Sequence, residues 1–542
     1  MYLRSIALAG LLVLAGSADS KIVRTRSGVV NGGKCGRTDV NYFFSIPYAK
    51  PPVGELRFAS PEPYQNSSYR VVNATTPAPA CIQFTGQLFG ESETQSENCL
   101  FLDIWAPASA TQKSKLPVKV WLYGGSNEGG GVSNPSYNGC FSATDSIVVS
   151  VNYRLGPLGF LALTDLGLTG NYGLEDQLLA LRWVQDNIAN FGGDPEKVLL
   201  FGESAGASDT FFLATLPEIP QLVRAAAMES GAGRDIATIE DSQVWYSEFL
   251  NAMNCSTPDL SCIRSATASI LQIAVASMPS TDIVTVNSVL INNGTRSSWT
   301  PVVDGKLIKE QPSAAGLKVP SIIGSNANEG SLFVLGAYRT LEKLEALNQT
   351  DYDEFLNYNF GPLAERVNGT YSAAFLFNGS VARAMETVLT EVSYKCPSYR
   401  ALLQAEKNDM PVWSYRFDHV PSCPWFLGID TSYLPLLGVT HSSEIPFVFN
   451  FTSALPPPNG NCTFTSSEQI ISRNMSRAWT NMAETGQPGD EGVWPVWTSG
   501  ESTGVVIGDA VNVGVVNYTS CAFWDQVNAD LNEYWDTRGT RI

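Results

Sequence analysis

The feature that most constrains this 542-residue chain is a Gly-Glu-Ser-Ala-Gly segment, residues 202–206, directly after the apolar run 198–201. This pattern predicts a nucleophile elbow, in which a strand ends, the chain turns sharply at the serine and a helix begins at once. Glycines are needed on both sides because the strand and the helix approach too closely for a Cβ atom. The strained turn lifts the hydroxyl clear of the sheet, so Ser204 is the candidate nucleophile.

A second Gly-x-Ser-x-Gly match, residues 500–504, has different flanks. It leads into the apolar residues 505–507, which is typical of a turn that opens a strand. No histidine follows it in the sequence. We therefore interpret Ser502 as a turn residue.

A serine hydroxyl is a weak nucleophile that needs an adjacent base, and a third group must orient that base. The chain has only two histidines, His419 and His441. His419 ends a run in which large rings occupy every second residue, which is typical of an inward-facing position at the end of a strand. His441 lies in a stretch of small residues after an apolar segment. His441 is therefore the favoured base, and His419 is the alternative.

The orienting acid is expected between the serine and the histidine in the sequence. Residues 319–324 predict a buried strand, and Glu329 follows it closely. A carboxylate just past a strand end lies at the edge where α/β sheets place their sites. Glu329 is therefore the first candidate, with Asp304 and Asp430 as weaker alternatives.

A glycine-rich stretch, residues 124–131, follows another predicted strand at 118–123. Such a stretch can turn backbone N–H groups toward a developing oxyanion. The alternative is a phosphate-binding loop, but the stretch lacks the lysine-serine/threonine ending and fits the spacing of neither nucleotide-binding motif. We interpret it as an oxyanion loop.

Strands and helices are predicted to alternate along the chain, which favours an α/β fold with a mostly parallel central sheet flanked by helices. The further strands are expected at 147–153, 198–202 and 412–418, with late strand character at 505–516. One helix is predicted from the apolar stripe Leu174, Leu178, Leu181, Val184 and Ile188, and another at 523–535. Because no linker or repeat interrupts the chain, residues 19–542 are expected to form a single domain with long insertions.

Several blocks resemble type-B carboxylesterases of the cholinesterase-like α/β-hydrolases, and the match spans nearly the whole chain. The similar blocks, in chain order, are residues 44–58, 97–104, 170–177, 201–207, 325–330 and 438–444. The resemblance implies an α/β-hydrolase fold with insertions around an active-site gorge, and ester hydrolysis without metal or cofactor.

Residue by residue, the resemblance implies Ser204 as nucleophile, Glu329 as orienting acid and His441 as general base. The implied oxyanion donors are the backbone N–H groups of Gly125, Ser126 and Ala205, and the implied polar side chains around the triad are Glu203, Ser230 and Glu444. The family usually has three glycines and then an aromatic residue in the oxyanion loop, whereas this chain has Ser126 and Asn127 in the last two places. A serine still offers its backbone N–H, so the oxyanion hole is expected to survive with a different pocket wall.

Ten cysteines indicate an oxidising compartment. The resemblance implies disulfides between Cys81 and Cys99 and between Cys255 and Cys262, and Cys396 and Cys521 resemble a third pair. The pairing of the others stays open at this stage; they are Cys35, Cys140, Cys423 and Cys462.

Residues 1–18 predict a secretory signal, with a positive charge, a short apolar core and small residues before the cleavage site. The apolar core is shorter than the roughly 20 residues that a membrane span needs. A net charge of −18 argues against nucleic acid and anionic membranes as partners. The Asn-x-Ser/Thr sequons predict glycosylated surface loops; they include Asn66, Asn293, Asn368 and Asn474. The expected product is a secreted glycoprotein with no stable membrane anchor.

Two classes of function fit this sequence. The first is a serine carboxylic-ester hydrolase that forms an acyl-enzyme with a small-molecule ester. The second is a catalytically silent binding protein of the same fold, but silent relatives typically lack a triad member, and all three are present here. The hydrolase is therefore favoured.

The loop between Cys81 and Cys99 bears on the substrate. In relatives that hydrolyse choline esters, a tryptophan in this loop stacks on the quaternary ammonium. Here Phe84 and Phe89 are the only aromatic residues of the loop, and residues 91–97 are all polar. The loop favours soluble esters with short to medium acyl chains, and the alternative is lipase or sterol-esterase activity on long-chain lipid esters.

Overall fold

The computed structural model describes residues 21–65, 71–84, 94–255, 259–278, 299–425, 431–451 and 462–538. The predicted signal segment, Asp430 and the sequons at Asn66 and Asn293 lie outside the described residues. So does most of the Cys81–Cys99 loop, including Phe89.

The centre of the fold is an eleven-stranded sheet in the order β16-β15-β14-β13-β12-β11-β7-β8-β6-β4-β3. The seven strands from β15 to β8 in this order are parallel to one another, and the strands on either side of them pair antiparallel. The strands, numbered in chain order from β1 to β16, are Ile22–Thr25, Gly28–Asn31, Gly33–Lys34, Val40–Pro47, Val71–Asn73, Phe101–Pro107, Leu116–Leu122, Ile147–Val151, Ala162–Leu163, Leu168–Thr169, Gly193–Glu203, Ala225–Glu229, Ser321–Asn326, Val412–Phe417, Thr503–Ile507 and Val511–Val515.

Helices cover both faces of this sheet, as expected for parallel strands joined by crossover connections. In the described part of the chain, no helix has the length and hydropathy needed to cross a membrane. The helices, numbered in chain order from α1 to α18, are Gly156–Phe160, Tyr172–Asn187, Ala205–Ala214, Gln243–Ala252, Leu260–Ser265, Ala268–Ser277, Pro312–Ala315, Gly330–Tyr338, Leu341–Glu345, Gln349–Phe360, Ala364–Thr370, Ala373–Leu376, Val381–Thr390, Cys396–Lys407, Leu434–Leu437, Ile445–Val448, Ser466–Thr485 and Cys521–Arg538.

The predicted mostly parallel sheet flanked by helices is confirmed. Strands β7, β8, β11, β13 and β14 occupy the segments that the apolar runs indicated. The expected helices correspond to α2 and α18, and the late strand character to β15 and β16. The decoy serine, Ser502, lies in a turn directly before β15, as its flanks predicted.

Sequence reasoning missed strand β12 and the antiparallel strands at the amino-terminal edge. Strand β12, Ala225–Glu229, begins with three alanines, which favour helix and show no alternation of polar and apolar residues. It becomes a strand because it pairs on both sides, with β11 and β13, in the buried centre of the sheet. The predicted loop positions of Asn368 and Asn474 are also wrong, since both residues lie on helices.

Five disulfides are present in the described part of the chain. Cys81–Cys99, Cys255–Cys262 and Cys396–Cys521 are the three pairs that the family resemblance implied. The cysteines that the sequence left open pair as Cys35–Cys140 and Cys423–Cys462. The first of these joins residues 105 positions apart, which ties the amino-terminal edge of the sheet to the segment before β8.

The carboxyl ends of β11, β12 and β13 meet at one edge of the sheet. Because these strands are parallel neighbours in register, the residues that follow them come close together. Ser204 follows β11, Ser230 follows β12 and Glu329 comes three residues after β13. The topology therefore assembles at this edge three side chains that span 125 positions of the sequence.

Candidate active site

Ser204 stands at the junction of strand β11 and helix α3, with φ 57° and ψ −124°. This conformation is uncommon for a residue with a side chain and marks local strain. The two flanking glycines are sterically required. A Cβ atom on Gly202 would lie 2.5 Å from the Gly206 carbonyl oxygen, and one on Gly206 would lie 2.6 Å from the Tyr123 carbonyl oxygen. The segment thus has the strand-turn-helix form of a nucleophile elbow.

Glu329 and His441 form a buried pair. The Nδ1 atom of His441 is 2.6 Å from Oε2 of Glu329, and neither residue exposes more than 1% of its surface. The second carboxylate oxygen of Glu329 accepts hydrogen bonds from the Ser230 hydroxyl at 2.5 Å and from the Asn326 backbone N–H at 2.7 Å. Because Nδ1 donates to the carboxylate, Nε2 of the neutral ring is left as the acceptor.

That second ring nitrogen, Nε2 of His441, is buried and has no hydrogen-bond partner in the described part of the chain. It lies 3.1 Å from Oε1 of Glu203, the residue directly before Ser204. The same oxygen of Glu203 accepts a 2.7 Å hydrogen bond from the Ser442 hydroxyl. The acceptor nitrogen of the histidine therefore lies beside the elbow.

The loops that carry the acid and the base are joined directly. The Asn328 backbone N–H donates to the Val439 carbonyl at 2.9 Å, and the side-chain amide of Asn326 donates to the Thr440 carbonyl at the same distance. The ring of His441 also packs against Phe333 and Tyr394, with ring centroids 5.1 and 4.7 Å away. These contacts fix both the position of the imidazole and its plane.

The glycine-rich loop adjoins the elbow. A Cβ atom on Gly124 would lie 2.8 Å from the Cβ of Ser204. Gly125 has φ 116°, and its carbonyl accepts the N–H groups of Glu128 and Gly129, so the loop folds back on itself. The N–H groups of Gly125 and Ser126 donate to no other group within the described residues. The N–H of Ala205, the first residue of α3, has no intrahelical acceptor, so all three are available to an oxyanion.

Three buried glutamates lie close to the histidine, namely Glu203, Glu329 and Glu444, and a fourth, Glu229, lies beside Glu444 and Glu203. Burial disfavours the imidazolium, but the charges of Glu203 and Glu329 outweigh burial and raise the pKa of His441 to about 9. Burial, reinforced by the charge of Glu203, raises the pKa of Glu444 to about 8. Burial also raises the pKa of Glu203, and burial together with Glu444 raises that of Glu229 well above its usual value.

Glu229 is a site residue that the sequence analysis missed. Its backbone carbonyl accepts the N–H of Ser204 at 2.9 Å, and its Oε1 accepts the indole N–H of Trp479 at 2.7 Å. Its other carboxyl oxygen is buried and has no hydrogen-bond partner among the described residues. The available signal was the Met-Glu pair that ends β12 and the serine that follows it, but this signal has meaning only once the alanine run is known to be a strand.

The weaker candidates lie elsewhere. The nitrogens of His419 contact Glu468 at 3.3 Å and Asp509 at 3.2 Å, away from Ser204. Asp304 caps a loop by accepting the backbone N–H groups of residues 306 and 308. Within the described ranges, no group of three or more His, Cys, Asp or Glu side chains is arranged to hold a metal ion.

Comparison with known proteins agrees with this geometry. The carboxylesterase family matches residues 19–524. The para-nitrobenzyl esterase of Bacillus subtilis is 33% identical over 494 residues, which cover 88% of this chain and 92% of that protein. The cholinesterase of Mus musculus is 31% identical over 93% of this chain and 86% of its own length. The cocaine esterase of Homo sapiens is 32% identical over 89% of this chain and 87% of its own length.

The family match covers Ser204, Glu329, His441 and the glycine-rich loop 124–131, and the mostly parallel sheet with its helices is the α/β-hydrolase architecture. The chain therefore belongs to the carboxylesterase family and is a carboxylic ester hydrolase.

Proposed function

We propose that the protein is a secreted serine esterase that hydrolyses soluble esters with short to medium acyl chains through Ser204, His441 and Glu329. The observation that carries the proposal is the orientation of His441. Its Nδ1 is bound to the buried Glu329 carboxylate, while its Nε2 lacks a hydrogen-bond partner in the described structure beside the nucleophile elbow. This is the arrangement that a general base for a serine hydroxyl requires.

The proposed reaction has two halves. In the first, Nε2 of His441 takes the Ser204 proton as the hydroxyl attacks the ester carbonyl, and the alcohol leaves with that proton. In the second, water attacks the acyl-enzyme by the same steps and releases the acid. The N–H groups of Gly125, Ser126 and Ala205 bind the oxyanion of both tetrahedral intermediates. Glu329 holds the ring and stabilises the imidazolium that forms in each half.

The disulfide loop supports the assignment to soluble esters. Phe84, one of its two aromatic residues, packs its ring on Gly156, and its backbone N–H donates to the Glu128 carbonyl at 2.7 Å. That ring is thus part of local packing rather than a free platform for a quaternary ammonium. The relatives named above act, by their names, on esters as different as para-nitrobenzyl esters and cocaine, so family membership alone leaves the acyl preference open.

An acyl-length series tests the substrate assignment. Chromogenic esters of increasing acyl length are compared with a choline ester and an emulsified triglyceride at equal enzyme concentration. We expect the largest kcat/KM at short to medium length and no increase in rate when a substrate passes its solubility limit. A maximum on long-chain emulsions with a jump above that limit would identify a lipase, and dominance of the choline ester would identify a cholinesterase.

Secretion and domain organisation complete the proposal. Two features support secretion. Five disulfides suit an oxidising compartment, and residues 1–18 have a signal-like composition. Residues 19–542 are proposed to form one domain, because eleven strands drawn from both ends of the described chain, from β3 to β16, enter a single sheet. Exposed sequons such as Asn474 are proposed to carry glycans.

The charge of Glu203 predicts a pH effect. Since only the neutral histidine accepts the serine proton, activity is lost as the pH falls through the pKa of His441. The titratable groups that face this ring among the described residues are Glu203, Glu329, Glu444 and Tyr394. Glu203→Gln keeps an acceptor for Ser442 but removes the charge nearest Nε2. We expect the acid limb of kcat/KM to move to lower pH by about one unit.

The comparison variant is Glu444→Gln, which removes a more remote charge from the same cluster. It is expected to shift the acid limb by less than Glu203→Gln does. An acid limb that stays in place in Glu203→Gln, or that moves to higher pH, would contradict the proposed contact between Glu203 and His441.

A further inference from the structure

The oxyanion loop contains a buried side chain that the triad does not use. Asn127 follows Ser126, has φ 57° and is 2% exposed. Its backbone carbonyl accepts the Gly156 N–H at 2.6 Å. Its side-chain Nδ2 donates to Oδ1 of Asp209 at 3.2 Å, while its Oδ1 is buried without a partner among the described residues. Among the described residues, only the hydrogen bond to Asp209 therefore fixes the orientation of the Asn127 side-chain amide.

Asp209 lies on helix α3, five residues after the nucleophile, and is completely buried. Its second oxygen, Oδ2, accepts the side-chain Nε2 of Gln177 at 2.5 Å. Gln177 belongs to helix α2 and its own amide oxygen is also buried and unpartnered. Both amides thus present their nitrogens to one carboxyl group, as an ionised acceptor requires.

No cation in the described structure pairs with Asp209, and its charge adds to the burial that raises the pKa values of Tyr123 and Tyr153. Burial raises the pKa of Asp209 to about 7, although the two amide hydrogen bonds oppose this change. An isolated buried carboxyl of this kind destabilises a fold unless its hydrogen bonds offset the loss of hydration. Its presence on the helix that follows the nucleophile calls for a role that a smaller or apolar residue would not fill.

We propose that Asp209 is a positioning residue that fixes the oxyanion loop to the nucleophile helix through the Asn127 amide. The inference rests on the proposed function. The oxyanion donors come from two separate elements: Gly125 and Ser126 from the loop, and Ala205 from helix α3. Asp209 belongs to the same helix as Ala205, and Asn127 directly follows Ser126. The hydrogen bond between their side chains therefore sets the spacing between the two groups of donors.

This arrangement compensates for the departure of the loop from the family pattern. Ser126 and Asn127 both have positive φ, at 58° and 57°, where the family usually has a glycine and an aromatic residue. Asparagine tolerates this conformation better than most residues, and its amide supplies the hydrogen bond that an aromatic ring cannot. The loop thus replaces aromatic packing by a polar connection to α3.

The first test is Asn127→Gly, because glycine adopts positive φ without strain and only the amide is lost. With a soluble p-nitrophenyl ester, we expect kcat to fall by about tenfold while KM changes by less than about threefold, since donor spacing matters most for the transition state. The affinity for a trifluoromethyl ketone, which forms a tetrahedral adduct on the serine, is expected to fall by the same factor as kcat/KM.

Asp209→Leu and Asp209→Asn complete the design. Asp209→Leu is expected to lower kcat at least as much as Asn127→Gly, and the double variant is expected to be no worse than Asp209→Leu alone. Asp209→Asn keeps an acceptor for Asn127, and its new amide can face the unpartnered oxygen of Gln177, so kcat is expected to recover to within a few-fold of wild type. If Asp209→Leu does not fold, the kcat values of Asn127→Gly and Asp209→Asn still test the proposed role of Asp209.

A control variant distinguishes a loss of kcat caused by lost positioning from one caused by a general loss of stability. Asn187 is a buried residue at the other end of helix α2 whose side chain accepts the Arg26 N–H at 2.7 Å. Asn187→Leu is expected to lower the melting temperature without lowering kcat. The inference is wrong if Asn127→Gly keeps wild-type kcat, or if Asn187→Leu loses as much kcat as Asn127→Gly does. A wild-type protein with no esterase activity would instead contradict the proposed function itself.

Discussion

Replacing Ser204 with alanine is expected to reduce kcat for ester hydrolysis by about a million-fold, because removal of a triad nucleophile leaves only oxyanion binding and substrate alignment. The protein should fold normally. Ser204 is partly exposed at the elbow, and in the described structure its hydroxyl forms no hydrogen bond that stabilises the fold. Steady-state kinetics with a chromogenic ester, together with the melting temperature, measure both effects.

The matched control is Ser502→Ala, the serine of the second Gly-x-Ser-x-Gly segment. Ser502 lies in the turn before β15 with φ 49°, and its backbone accepts the N–H of Val516 at 2.9 Å. We expect wild-type kcat and at most a small change in stability. Loss of activity in Ser502→Ala with activity retained in Ser204→Ala would reverse the assignment of the nucleophile.

Replacing His441 with alanine is expected to lower kcat by about four to six orders of magnitude, since the variant loses the proposed acceptor of the serine proton. The acid limb of the pH profile should disappear with the imidazole, because that limb reports the neutral base. Rates measured over a pH series for wild type and variant test both statements.

The matched control here is His419→Ala, the only other histidine substitution that the chain allows. His419 contacts Glu468, a carboxylate that also accepts the backbone N–H of Thr465 and so caps helix α17. We expect a lower melting temperature and nearly unchanged kcat. A His419→Ala variant that folds normally but is inactive would make His419 the base.

The sequence predicted those parts of the structure that depend on local pattern. The strand-turn-helix form around Ser204 is encoded within nine residues, and the apolar runs of β7, β8, β13 and β14 appear as strands in the structure. These predictions work because buried parallel strands need continuous apolar residues and because the elbow needs glycine at two fixed places.

What the sequence could not predict are the contacts between distant segments. Glu229 adjoins Ser204 only because β12 inserts between β11 and β13, and its alanine run gave no indication of a strand. The pairing of Cys35 with Cys140 likewise depends on the fold of the whole amino-terminal edge. The connection of Asn127 to Asp209 joins residues 82 positions apart through a single hydrogen bond, which no local pattern encodes.

The most direct test of the account is to trap the covalent intermediate. The wild-type enzyme is treated with a fluorophosphonate ester probe, which reacts only with an activated serine, and the adduct is located by peptide mass spectrometry. The account predicts one adduct per chain, on Ser204, formed slowly or not at all in His441→Ala. An adduct on any other residue, or no adduct on an enzyme that hydrolyses esters, would contradict it.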